Sequence, residues 1–101
     1  MTKEEIIEKV KKNMRSIGYE YDKEDGIDCY DKEKRKIMDG SLREVYRVSF
    51  RTSDSIKRNS QGEIISLVEG YYCAGYVDAT TYEILYYSVK FGFVLPDGTS
   101  V

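Results

Sequence analysis

An α+β fold, with an N-terminal amphipathic helix packed on a curved antiparallel meander of three to four strands, is what the sequence predicts. Three observations predict it: a capped apolar stripe at helical spacing over the first 18 residues, a period-two stretch that begins at Leu42, and an aromatic-rich run from Tyr71 to Leu95 that folds back on itself around Asp78 to Glu83. That run holds six of the ten tyrosines and the longest apolar alternation in the chain.

The helix comes first. Thr2-Lys3-Glu4-Glu5 matches a capping box, in which the Thr2 hydroxyl accepts from the amide three residues on while Glu5 reaches back to the Thr2 amide. Ile6, Ile7, Val10, Met14 and Ile17 recur on one stripe, Lys9, Lys11, Lys12 and Arg15 complement the dipole, and Gly18 can take the left-handed closing conformation. A helix from Lys3 to Ile17 is expected. Residues Tyr19 to Ser41 mix apolar side chains with dense charge of both signs; a short strand is placed near Ile27 to Tyr30, and Asp31 to Lys36 is read as a charged loop.

From Leu42 the period becomes two, with Leu42, Tyr46, Val48 and Phe50 on one face and Arg43, Val45, Arg47, Ser49 and Arg51 on the other. Ser53 to Gly62 has the composition of a connecting loop, and Glu63 to Glu69 resumes as strand. Gly70 and Gly75 interrupt the next run, where glycine marks a bulge, a bend or a close approach. If Ala79 to Tyr82 form a four-residue loop, Asp78 opposes Glu83, Val77 opposes Ile84 and Tyr76 opposes Leu85. That register puts Leu85, Tyr87, Val89, Phe91 and Phe93 against the helix and leaves Tyr71, Val77, Ile84 and Tyr86 on the second face. Pro96-Asp97-Gly98 ends the last strand.

Composition narrows the function. One domain spans 1–101, and 41% hydrophobic, 34% charged and 13% aromatic residues give it enough apolar surface to fold. Sixteen basic and 18 acidic residues leave a net charge of -2, too balanced for the broad positive field that nucleic acid or an anionic membrane would call for. No apolar run is long enough for a signal peptide or a membrane span, so a cytoplasmic protein is expected, with Cys29 and Cys73 as free thiols. Histidine is absent, which removes the usual general base and the commonest zinc ligand. No catalytic residue, metal ligand or cofactor site is assigned; Asp78 and Glu83 are read as turn residues.

The stretch Val77-Asp78-Ala79-Thr80-Thr81-Tyr82-Glu83-Ile84-Leu85 resembles the closing hairpin of PepSY-like domains, whose pattern runs V-D-A-x-T-G-E-I-L. The resemblance, which covers about half the chain, implies a cystatin-like arrangement, also seen in small inhibitor and immunity domains that bind proteins and catalyse nothing. The chain departs from the pattern at its glycine, which is Tyr82 here. In the register above Tyr82 takes positive φ, at about 1 kcal/mol or more; either the turn differs or the ring is placed at the tip as a contact residue.

Arg43, Arg47 and Arg51 recur at every fourth residue and so point the same way along one strand, each roughly 13 Å from the next. They form either a row for an acidic partner or an exposed face balanced by Glu44, Glu63 or Glu69. Tyrosine and arginine are the types enriched at binding hot spots. The expected function is therefore a non-catalytic protein-binding domain, immunity- or inhibitor-like, that meets a protein partner or a second copy through Tyr71, Val77, Tyr82, Ile84 and Tyr86 with the arginine row. Two other readings are a small-ligand or enzymatic domain with a pocket between helix and sheet, near Tyr72, Tyr87 and Phe91, and a PepSY-like regulatory module.

Overall fold

The computed structural model describes residues 1–23 and 25–101. Helix α1 runs Lys3–Ser16 and opens on the expected box: the Thr2 hydroxyl accepts from the Glu5 amide at 3.2 Å, and the Glu5 carboxylate accepts from the Thr2 amide at 3.1 Å. Gly18, at φ 83, lets the chain leave the helix. Ile6, Val10 and Met14 form its buried stripe. Among the described residues no helix is long and apolar enough to cross a membrane.

Among the described residues eight strands follow: β1 Ile27–Cys29, β2 Glu33–Lys36, β3 Leu42–Arg51, β4 Ser55–Arg58, β5 Ile64–Val68, β6 Tyr72–Asp78, β7 Ile84–Val89 and β8 Gly92–Val94. Among the described residues they form two antiparallel sheets. The larger has six strands, in the order β1-β3-β6-β7-β8 with β2 also paired to β3; the smaller is β4 with β5 alone. The expected meander of three to four strands is thereby corrected: the fold is mostly β, one 14-residue helix on a six-stranded sheet with a second, two-stranded sheet beside it.

The physical reason lies in pairings that side chains do not announce. β2 reads Glu-Lys-Arg-Lys and was expected as loop, yet it pairs residue for residue with Leu42 to Val45. A charged sequence suits an outer strand, because ladder bonds come from the backbone and the charges discourage further pairing. β4 is likewise a strand inside the expected Ser53 to Gly62 loop.

The hairpin of β6 and β7 keeps the expected register only at its closed end. Val77 opposes Ile84, but a bulge then places Tyr76 opposite Tyr86 and leaves Leu85 as the extra residue. One extra residue reverses which side chains of β6 and β7 share a face beyond it. Helix α1 covers Val48, Phe50, Cys73, Val77, Tyr87 and Val94, and with Ile6, Val10 and Met14 these make the main core. The expected split of the hairpin is corrected accordingly. Tyr87 and Val89 do lie on the helix side, but so do Tyr71, Val77 and Ile84, whereas Leu85 packs in the second cluster and Phe91 is 91% exposed.

That second cluster lies on the opposite face, where Val45, Tyr76 and Tyr86 pack under Ile37. Gly75 shows why a glycine stands mid-strand: a Cβ there would lie 2.9 Å from the Tyr87 ring, which crosses directly over it. Tyr87 then donates to Asn13 Oδ1 at 2.6 Å, and Asn13 Nδ2 donates to the Pro96 carbonyl at 2.8 Å, tying helix, β7 and the C-terminal turn together.

Candidate functional site

The residues singled out from the sequence are mostly engaged inside the fold. Val77 is fully buried, and Tyr71 and Ile84 pack against the helix-side core. Tyr86 is buried against Tyr76, ring centroids 4.9 Å apart, and meets Phe93 edge to face. Tyr82 has the positive φ that the register requires, at 60°. It is held there from three sides: its amide donates to the Asp78 carbonyl at 2.8 Å, its own carbonyl accepts from Lys9 Nζ, and its ring stacks on Tyr46. The strained backbone thus pins the loop to the helix, and the ring is half-buried rather than projecting.

Asp78 explains the loop. Only 6% exposed, its Oδ1 accepts from the Thr80 and Thr81 amides at 2.7 and 3.0 Å, and its Oδ2 accepts from Arg43 at 3.1 Å. The two loop amides, with Arg43 adding to them, hold the Asp78 carboxyl below the usual carboxylate range. Glu83 opposes it through the backbone only, its carbonyl accepting from the Asp78 amide.

The arginine row is balanced, but by aspartates and a ring rather than by Glu44, Glu63 and Glu69. Arg43 pairs with Asp78, and Arg51 bridges Asp22 at 3.2 Å and Asp54 at 3.0 Å. Arg47 lies over the Tyr30 ring at 4.6 Å, and its Nε is buried without a hydrogen-bond partner among the described residues. Register sets small side chains in one cross-strand row, Ser49, Ala74 and Ser88, between the ridge of Arg47, Tyr76 and Tyr86 and the ridge of Arg51 and Tyr72. An open depression of about 290 Å³ follows this row on the face away from the helix.

The surface that sequence reasoning missed is the smaller sheet. β3 and β6 are the two limbs of one long ribbon, and β4 and β5 continue it past a kink as an arm, pairing only with each other among the described residues. At the kink the Thr52 amide donates to the Tyr71 carbonyl at 2.9 Å, Tyr71 returns a bond to the Thr52 hydroxyl at 3.0 Å, and Asp54 accepts from the Gly70 amide at 2.6 Å. The Gly70 amide first, and Arg51 after it, hold the Asp54 carboxyl below its ordinary range. The arm contributes to a long, thin molecule, 53 × 27 × 19 Å.

Among the described residues its apolar side chains find little cover. Ile56 is 51% exposed, Ile64 55%, Ile65 64%, Leu67 56% and Val68 58%. Ile56 opposes Leu67 on one face, and the register then shifts between Lys57 and Arg58, so that Ile64 opposes Arg58 and Ile65 is the extra residue of a bulge. The signal was present in the sequence: Ile64-Ile65-Ser66-Leu67-Val68 is apolar on both faces, between Glu63 and Glu69.

Chemistry has little to work with elsewhere. Among the described residues no three His, Cys, Asp or Glu side chains gather as a metal site. Cys73 is buried, and burial pushes its thiol up to about 11, far from a reactive thiolate. Cys29 is also raised, first by burial. No protein-family model, curated protein or solved structure matches the chain.

Proposed function

We propose that this chain is a non-catalytic protein-binding domain of the immunity or inhibitor type, working in the cytoplasm, and that the β4–β5 arm is where it engages its partner. The observation that carries this reading is the arm itself: five apolar side chains, each more than half exposed, on a two-stranded sheet that pairs with no other strand among the described residues. A lone hairpin is marginally stable in water, so a sequence that spends five large apolar residues on one supports a role in which another surface completes it. Free cysteines are in keeping with a reducing compartment.

The test is a photoreactive amino acid placed at Leu67, in the arm, and separately at Glu8, on the exposed face of the helix. Irradiation in an extract of the native source is expected to join the Leu67 derivative to a protein and to leave the Glu8 derivative unmodified. Equal labelling at both positions, or none at either, removes the support that the arm gives.

A further inference from the structure

We infer that the sheet face turned away from the helix receives one acidic side chain of a protein partner, seated in the trench over Ser49, Ala74 and Ser88 with its carboxylate on the Arg47 guanidinium. The inference rests on the protein-binding reading above and adds to the arm a second point of contact, of stated chemistry.

Charge comes first. Of the three arginines along β3, Arg43 and Arg51 meet aspartates, whereas Arg47 meets no carboxylate among the described residues. Its guanidinium lies over the Tyr30 ring at 4.6 Å, and its Nε is buried without a hydrogen-bond partner among the described residues. Arg47 is half-buried and lines the trench. A guanidinium drawn partly out of water without an acceptor is destabilising, and a carboxylate offsets that cost with charge-assisted bonds to its fork of donors.

Shape comes second. Arg47 with Tyr76 and Arg51 with Tyr72 form two ridges four residues apart along β3, roughly 13 Å. Between them the short side chains of Ser49, Ala74 and Ser88 reach little above the sheet, and neither serine hydroxyl makes a hydrogen bond among the described residues. The open volume of about 290 Å³ is no larger than the smallest sites that take a whole small molecule, so the trench suits a single side chain. Tyr30 and Tyr72 flank it, both exposed, and tyrosine with arginine is the composition that surrounds an anchor residue at a protein interface.

The same inventory selects a single negative charge. Arg47 is the one cation that lines the trench among the described residues; Arg35 lies over the Tyr76 ring but is paired with Glu33. Asp28 opposes Ser49 at the outer end of the row, and the aspartates of Arg43 and Arg51 stand beyond it on either side. A carboxylate matches one guanidinium in such surroundings, whereas a phosphate brings close to two negative charges and is repelled.

Titration of the isotope-labelled chain with the capped peptide acetyl-Ala-Glu-Ala-amide, followed by NMR, tests the inference. The amides of Ser49, Ala74 and Ser88 are expected to shift and to saturate with a Kd on the order of 1–10 mM, while the matching glutamine peptide and inorganic phosphate leave them in place. Arg47→Gln should abolish the shifts, and Arg47→Lys, which keeps the charge without the fork, should weaken them. If Arg47→Gln does not fold, Ala74→Glu, which sets the chain's own carboxylate in the trench, should abolish them instead. No shift with the glutamate peptide, or an equal one with the glutamine peptide, overturns the site. A response to phosphate as strong as to the glutamate peptide marks a site for free anions and overturns the acidic side chain as its occupant. Capture through the photoreactive group at Leu67 then separates the two readings. Arg47→Gln, or Ala74→Glu in its place, should lower its yield about tenfold; an unchanged yield overturns this inference alone, and no capture by the parent chain overturns the protein-binding reading and this inference with it.

Discussion

Gly70 fixes how the arm leaves the sheet, and replacing it with alanine is the sharpest perturbation of that geometry. A Cβ at this position would lie 1.9 Å from the Thr52 carbonyl oxygen, 2.9 Å from its carbon and 3.0 Å from Arg51 Nη1. The first two are backbone atoms, so no rotamer change relieves the overlap. The two limbs of the ribbon must part by roughly 1.5 Å to restore ordinary contact. Parting them loosens the Thr52–Tyr71 bonds and the Asp54–Gly70 bond, each worth about 1 kcal/mol, on top of the strain of overpacking. Gly70→Ala is therefore expected to cost about 3 kcal/mol, read in urea denaturation as a fall in midpoint and in heating as a fall of about 10–20 °C. Gly18→Ala is the control. Nothing lies within 4 Å of a Cβ there, and its φ of +83° alone sets a cost of about 1 kcal/mol. A Gly70→Ala cost no larger than that of Gly18→Ala would refute the tight crossing at the base of the arm.

Two further substitutions test the hairpin loop. Asp78→Asn keeps one acceptor for the loop amides but sets an amide against Arg43, and is expected to cost about 2 kcal/mol near neutral pH. Because the folded-state pKa of Asp78 lies below its unfolded value, the carboxylate's contribution is present above the unfolded value and is lost as pH falls through the folded one. Denaturation curves of parent and variant should thus converge on acidification below about pH 4, and a difference independent of pH would count against the bonds described. At Tyr82, with φ 60, glycine removes the left-handed strain whereas alanine keeps it. Tyr82→Gly should be more stable than Tyr82→Ala by about 1 kcal/mol, and the reverse order in denaturation would contradict the pinned conformation.

Local signals in the chain were legible and long-range ones were not. The Thr2–Glu5 box, the exit at Gly18, the alternation of β3 and the positive φ of Tyr82 each follow from residues close together in sequence, where capping, period and turn chemistry act. The bulge at Leu85 leaves no such mark, since both registers of an apolar run look alike until a helix chooses a face. It is why Tyr71, Val77 and Ile84 lie beneath the helix instead of on a free face. β2 was unreadable for a different reason: Glu33 to Lys36 are a strand only because Leu42 to Val45 offer them a ladder. The arginine row was legible as a row, but its counter-charges Asp22, Asp54 and Asp78 come from a remote loop, the arm's base and the hairpin turn. The arm itself was half seen. β5 had the composition of a strand, and nothing nearby said that it would pair away from the main sheet.

Amide hydrogen exchange across Ile64 to Val68 tests most directly whether the arm is completed by another protein surface. In the dilute chain these amides should exchange rapidly, as expected of an isolated two-stranded ribbon. In the complex captured through Leu67, amides along β5 should slow by about tenfold or more while those of β3 stay unchanged. Exchange along β5 that is the same in both states would contradict the account.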